Sequence, residues 1–206
     1  MSSTGKTQQI IDGVIGLGLD SDKLPVEHYS QYLDELARWN KAYNLTAIRD
    51  FDTMVSHHIL DSLVICPFIT GNRCLDVGTG AGFPGMVLAM AKPDQSWVLV
   101  DSKVKKTRFL NHIAQVFNMV NVEIVHGRVE EYQPETPFDL IVSRAFSDLG
   151  SFIIKTDHLV AAEGRRLAMK GKIQAEELEG IKNREYELQG LQVPGVKSER
   201  NLVIIR

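Results

Sequence analysis

The stretch LDVGTGAGFPG, Leu75 to Gly85, limits the fold more than any other part of this chain. Glycines stand at 78, 80, 82 and 85, directly after the apolar run RCLDV. Such a run reads as a strand, and the glycines as the turn from that strand into a helix. Alternate glycines open backbone conformations closed to other residues and let a ligand approach the main chain.

The surroundings fit an α/β fold. Up to about Thr70 the pattern is helical: Val26, Tyr29, Leu33, Leu36 and Trp39 recur at steps of three and four, making one apolar face. Pro25 suits the first turn of that helix. A second helical stretch carries Met54, Val55, Ile59, Leu60 and Leu63. From Asn72 short apolar runs alternate with amphipathic stretches. RCLDV, SWVLVDS, VEIVHG, FDLIVSRA, RRLAMKG and NLVIIR are too short for helices, and several are apolar on both faces, as strands covered on both sides are. Between them, Phe109, Ile113 and Val116 predict a helix face flanked by Leu110 and Phe117. Strands alternating with helices predict a parallel, doubly wound sheet. The last connection, VPGVKSER, is too short for a helical crossover, so the final two strands should form an antiparallel hairpin.

The glycine loop fits two fingerprints. Gly80, Gly82 and Gly85 satisfy the dinucleotide pattern G-x-G-x-x-G. Asp76, Gly78, Gly80 and Gly82 satisfy D-x-G-x-G-x-G, common among S-adenosylmethionine-dependent methyltransferases. Three features favour the second. The Asp76 carboxylate would repel a pyrophosphate and attract a methionine ammonium. Phe83 and Pro84 put bulk where a pyrophosphate needs a bare helix start. The C-terminal hairpin is a methyltransferase trait. Asp101, 19 residues after Gly82, can accept from both ribose hydroxyls under either reading, or simply cap the helix that follows.

The 206-residue chain has a formal net charge of −3, which gives no global attraction to nucleic acid, so any such site must be a local basic patch. Cys66 and Cys74 form neither a metal pattern nor a disulfide framework. His57 and His58 lack the spaced partners of a metal site. The sequence shows no apolar stretch long enough for a bilayer and no signal-peptide core, and a cytoplasmic location away from membranes is expected.

The resemblance to a family rests on longer blocks. RWNKAYNLTAIRD (Arg38 to Asp50), HHILDSL, LDVGTGAGFPG, VDSKVKKTRFL, HGRVEE, FDLIVSRAF and MKG occur in the order seen in the RsmG family, also called glucose-inhibited division protein B. The likeness runs from about Leu33 to the C-terminus. It implies a Rossmann-like class I methyltransferase sheet, mostly parallel with an antiparallel C-terminal hairpin, plus N-terminal helices. It also implies S-adenosylmethionine as methyl donor and N7 of a guanine in the decoding region of 16S rRNA as acceptor. The expected organisation is a helical cap over 1–70 and a cofactor-binding domain over 71–206, in one compact monomeric unit. The alternatives are a methyltransferase acting on a small molecule or a protein, and a non-catalytic nucleotide-binding module that could use a dinucleotide.

Carried over by position, the resemblance gives cofactor roles to Gly78, Phe83, Val129, Glu130 and Arg144. Gly80 and Asp101 join them from the loop reading. Arg144, at the carboxyl end of the fourth strand, is also the candidate for orienting the guanine. The family usually has Arg-His before ILDS; His57-His58 stands here, so an RNA contact there would be weaker or pH-dependent. Guanine N7 is an in-plane lone pair that needs no deprotonation, so positioning and electrostatics suffice. An exocyclic-amine enzyme would more often carry an Asn/Asp-Pro-Pro-aromatic run where Ser143-Arg144-Ala145-Phe146 stands. A pyrimidine C5 enzyme needs a nucleophilic cysteine, and Cys66 lacks an evident base.

Basic residues cluster at Lys103, Lys105, Lys106 and Arg108, at Arg165, Arg166, Lys170 and Lys172, and at Arg200. Of these, Lys103, Lys105, Lys106, Arg108, Lys170 and Arg200 are the RNA-binding candidates, flanking a cleft at the carboxyl edge of the sheet. Trp39 and Tyr43 could stack on bases, though the helical spacing points to core for Trp39.

Overall fold

The computed structural model describes residues 3–144, 146 and 148–206; Met1 and Ser2 of the expected cap, and Ala145 of the SRAF run, lie outside them. The chain opens with α1 (Ser3–Gly16) and α2 (Val26–Tyr43). Val26, Tyr29, Leu33 and Leu36 are buried along α2 as their spacing predicts. Pro25 precedes the helix at the cap position, with a non-helical ψ of 66°, rather than occupying its first turn. Asn44 ends α2 in the left-handed conformation (φ 47°), which asparagine tolerates better than most residues. After the non-helical residues 44–50 comes a second, internally continuous helical segment: α3 (Phe51–Met54), a π-helical stretch (Val55–Leu60) and α4 (Asp61–Leu63). Its five predicted apolar residues, from Met54 to Leu63, are buried.

The rest of the chain alternates β1 (Arg73–Val77), α5 (Gly85–Ala91), β2 (Ser96–Asp101), α6 (Val104–Val116), β3 (Val122–His126), β4 (Phe138–Ser143), α7 (Leu149–Thr156) and β5 (Val160–Lys170). It closes with α8 (Ala175–Glu179), β6 (Tyr186–Leu191) and β7 (Arg200–Ile205). One seven-stranded sheet has the order β3-β2-β1-β4-β5-β7-β6. The pairings from β3 through β5 are parallel; β7 runs antiparallel to both β5 and β6.

The six predicted strands are β1 to β5 and β7. The hairpin partner of β7 is β6, which the apolar runs did not reveal. Its sequence YELQGL buries only Leu191, because it is an edge strand and most of it faces water. In α6 the apolar face ends a turn early: Phe109, Leu110 and Ile113 are buried, but Val116 is exposed.

Strand residues alternate between two cores, as a period of two requires. Cys74, Trp97 and Leu99 face the cluster shared with α1, α2, α5 and α6. Leu75, Val98 and Val100 face the cluster under α7. The order reverses between β1 and β4, and at that reversal the strand ends splay into a crevice. Among the described residues no helix is long and apolar enough to cross a membrane.

Candidate active site

The glycine loop fills the start of that crevice. Gly78, Gly80 and Gly82 all have positive φ (68°, 65° and 93°), which explains their alternation. The amides of Gly78 and Thr79 donate to the Val100 carbonyl at 2.9 and 3.2 Å, tying the loop to β2. Asp101 ends β2 and holds both sides: Oδ2 accepts from the Gly80 amide at 2.9 Å, and Oδ1 from the Lys103 amide at 2.8 Å. It therefore braces the loop and starts α6, and the second lone pair of each oxygen remains for a ligand hydroxyl.

Asp76 departs from the expectation. Its carboxylate is fully buried behind the loop, with Oδ2 accepting from the Gly85 amide at 2.8 Å and Oδ1 without a hydrogen-bond partner among the described residues. Gly85 leaves no room for a side chain, since a Cβ there would lie 2.6 Å from Asp76. Burial pushes the Asp76 carboxyl up to about 6, opposed in part by the nearby Thr79 hydroxyl, then by the Gly85 amide and the Arg144 charge. Asp76 thus faces the start of α5 rather than a ligand cavity, because the glycine turn folds the helix over it.

Three cavities form a chain. The first, about 160 Å³, lies between Gly78, Val100, Asp101, Gly127, Val129 and Glu130. Val129 is buried and apolar; Glu130 is exposed and pairs with Lys155 at 2.7 Å, which holds its carboxyl below the usual range. The second, about 190 Å³, shares Gly78 with the first and adds Thr46, Gly80, Phe83, Lys106 and Arg144. The third, about 270 Å³, shares His58 and Arg144 with the second and reaches Asp61, Lys170 and Arg200. It contains the sequence's candidate arginine and two of its basic candidates.

The wall between the second and third cavities is built from distant segments. Asn40 staples the turn after α2, with Nδ2 donating to the Thr46 carbonyl at 2.9 Å and Oδ1 accepting from the Thr46 amide at 3.0 Å. Thr46 Oγ1 in turn lies 3.1 Å from His58 Nε2. His58 Nδ1 lies 3.2 Å from the His57 carbonyl, which can only accept, so Nδ1 carries the proton and Nε2 accepts from the Thr46 hydroxyl. Burial, and then the Arg144 charge, push His58 down to about 4, so it is neutral at pH 7. Its ring stacks on Phe83 at 4.4 Å between centroids. The Arg144 guanidinium lies 5.6 Å from the Phe83 ring centroid and donates to the His57 carbonyl at 2.9 Å and to Asp61 at 3.0 Å.

The other basic candidates separate into distinct settings. Lys106 lines the loop cavity, 3.5 Å from Asp101. Lys105 donates to the Tyr43 carbonyl at 2.8 Å, joining α6 to the end of α2. Lys103, just before α6, and Arg108, on it, are exposed. Lys170 pairs with Glu177 at 2.6 Å. Arg166 departs from the expectation: it is buried within β5, bonded to Thr156 and Asp157, and does not reach the cleft edge. Trp39 packs against Tyr43, Phe109 and His112, as its spacing predicts, while Tyr43 is nearly half exposed. Cys66 and Cys74 are buried, and burial raises both thiols, Cys74 to about 12, which suits packing and not nucleophilic attack. Thr46, His58 and Asp61 escaped the sequence reading as site residues, although all three lie within its quoted blocks.

A family profile described as "rRNA small subunit methyltransferase G" (GidB) matches residues 26–203. The chain belongs to this family. It is 52% identical over 170 residues to the ribosomal RNA small subunit methyltransferase G of Legionella pneumophila, covering 82% of this chain and 81% of that protein. It is 45% identical over 202 residues to the protein of the same name from Pseudomonas syringae pv. tomato, covering 97% and 95%. Among solved structures, a putative S-adenosylmethionine-dependent methyltransferase from Methanococcus maripaludis superposes with a TM-score of 0.57 at 21% identity. The match covers 84% of this chain and 90% of that one, and it shows the class I methyltransferase fold. The protein is a methyltransferase, and the first two cavities fit S-adenosylmethionine chemically. Apolar Val100 and Val129 suit an adenine, the Asp101 carboxylate suits ribose hydroxyls, and the Lys106 ammonium suits a carboxylate. The open side of Gly80 is a cradle that a Cβ would begin to fill, 3.5 Å from Lys106.

Proposed function

We propose that the protein transfers the methyl group of S-adenosylmethionine to N7 of a guanine in the decoding region of 16S rRNA, acting as a cytoplasmic monomer. One observation carries the reading. The cavity that opens off the donor cleft is basic, lined by Arg144, Lys170 and Arg200, and among the described residues its buried carboxylate and buried imidazole are both engaged, while the half-buried His57 ring at its rim bonds the Ser56 hydroxyl through Nδ1. Its carboxylate, Asp61, is occupied by two arginines, and its buried imidazole, His58, has both nitrogens engaged. An acceptor that must lose a proton before attack is poorly served there. Guanine N7 loses none, and the neighbouring O6 is an acceptor for an arginine N–H.

The bound donor supplies an electrophilic methyl on a sulfonium. On this reading Gly78, Asp101, Val129 and Glu130 hold its adenosine, and Gly80, Phe83 and Lys106 hold the amino-acid end. Arg144 sits between donor and acceptor, where it orients the base, and the packed pair His58–Phe83 excludes water. Lys103 at the start of α6 and Arg108 on it, with Lys170 and Arg200 at the cavity, bind phosphates of the flanking RNA. Tyr43 is exposed beside that surface and available for stacking.

The test uses labelled S-adenosylmethionine and small ribosomal subunits that lack their native modifications. The product is treated with borohydride and aniline, which cleave at 7-methylguanosine. Cleavage at one guanine is expected. Label incorporation without cleavage removes the N7 assignment, and incorporation only into a protein or small molecule removes the RNA.

A further inference from the structure

Asp61 lines the basic cavity and is almost wholly buried. Its Oδ2 accepts from Arg144 Nη1 at 3.0 Å, and its Oδ1 from Arg200 Nε at 2.8 Å. The three residues come from three elements: the start of α4, the segment after β4 and the first residue of β7. Arg144 is fixed further by the His57 carbonyl, and Arg200 Nη1 by the Ser198 hydroxyl at 2.8 Å and the Glu199 carbonyl at 3.0 Å. Nη2 of each guanidinium takes no protein partner among the described residues.

A buried ion triad is a poor device for stability alone, because desolvation offsets most of the attraction and apolar packing would serve as well. Geometry is what it supplies. Two long side chains, flexible when unpaired, are held in place before any substrate arrives. We propose that Asp61 is a positioning residue for methyl transfer, clamping Arg144 so that its remaining N–H groups face the acceptor base and Arg200 so that its remaining N–H groups face a flanking phosphate. The inference rests on the guanine reading above. Asp61 touches neither donor nor acceptor and acts through the two arginines.

The experiment compares the full-length wild type with Asp61→Asn, which keeps the shape and removes the charge. Label transfer to subunits gives kcat and KM, calorimetry gives the affinity for S-adenosylhomocysteine, and a melting curve reports folding. The expected result is a fall in kcat of about thirtyfold, with S-adenosylhomocysteine affinity within about threefold of wild type. A kcat within about threefold of wild type overturns the proposal. So does an equal loss in cofactor affinity, which a merely structural role would produce. If Asp61→Asn does not fold, Asp61→Glu keeps the charge and shifts the carboxylate by one methylene. A folded Asp61→Glu protein with kcat lowered about tenfold supports the clamp; wild-type kcat overturns it. Borohydride and aniline cleavage of the wild-type product is scored separately. Incorporation without cleavage sinks the guanine reading while the Asp61 comparison still stands on label transfer, and no incorporation at all overturns both.

Discussion

Asp76 and Asp61 are both buried carboxylates within this site, and they are stabilised in opposite ways. Asp76 has a backbone amide and no cation in contact, and its carboxyl is pushed up to about 6. Asp61 has two guanidiniums. The difference follows from how each region is assembled. The donor side is a local structure: Asp76 and Gly85 are nine residues apart, and Gly80 and Asp101 are 21 apart. The acceptor side is a meeting of segments, with Asp61 83 residues from Arg144 and 139 from Arg200. A local turn can be shaped by backbone amides. A junction of three elements needs long side chains that reach across it, and their charge must then be balanced.

The comparison predicts that the donor side breaks through backbone changes. Gly82→Ala should have the largest effect. Its φ of 93° excludes most side chains, and a Cβ would lie 2.8 Å from Leu110 and 2.9 Å from Met86, and closer still to the Tyr32 hydroxyl. A loss of about 3 kcal/mol in urea unfolding is expected, with loss of S-adenosylhomocysteine binding. A variant within about 1 kcal/mol of wild type would mean that the loop has another arrangement open to it.

Asp76 gives a pH signature. Between the ordinary carboxylate range and about 6, the folded protein holds this proton and the unfolded chain does not, so stability from this group falls as pH rises through that window. The full difference is about 3 kcal/mol at most. Asp76→Asn keeps an acceptor for the Gly85 amide and cannot ionise. Relative to wild type it should gain stability from pH 4 to pH 7 in urea unfolding. Parallel curves for the two proteins would show that the carboxylate has a cation after all, and the contrast with Asp61 would collapse.

Asp101→Asn separates the two sides by function. One amide oxygen cannot serve both the Gly80 and Lys103 amides, and an unsatisfied buried donor costs about 1–3 kcal/mol. S-adenosylhomocysteine affinity should fall about tenfold to a hundredfold, while KM for the subunit stays within about threefold. The reverse pattern would place Asp101 on the acceptor side and undo the division.

The same division explains what the sequence made legible. The glycine spacing, the Asp101 position and the parallel order were readable because a turn and its flanking strand are contiguous. Even there the spacing does not show that the loop folds over the Asp76 carboxylate. β6 was hidden because YELQGL lacks the apolar run that betrays a covered strand. Asp61 was hidden because its partners are remote; nothing in HHILDSL tells that one carboxylate will meet two arginines. The block WNKAYNLT is recognisable as a pattern, and its physical meaning needs the fold: Asn40 holds Thr46, and the Thr46 hydroxyl donates to His58 Nε2.

The smallest predicted effect concerns His57, where the resemblance leads one to expect arginine. Its main-chain carbonyl anchors Arg144, a role any residue can fill. Its ring is half-buried at the rim of the basic cavity, with Nδ1 2.9 Å from the Ser56 hydroxyl. His57→Arg would add a permanent charge on the acceptor side and nothing on the donor side. KM for the subunit should fall about threefold at low salt, and the gain should vanish as salt rises, with one more phosphate contact steepening the salt slope by about 0.7–0.9. Cofactor affinity and kcat should not move. An unchanged KM and an unchanged slope would put His57 outside the RNA footprint, and the acceptor surface would then begin at Arg144 and Arg200 rather than at the π-helical stretch.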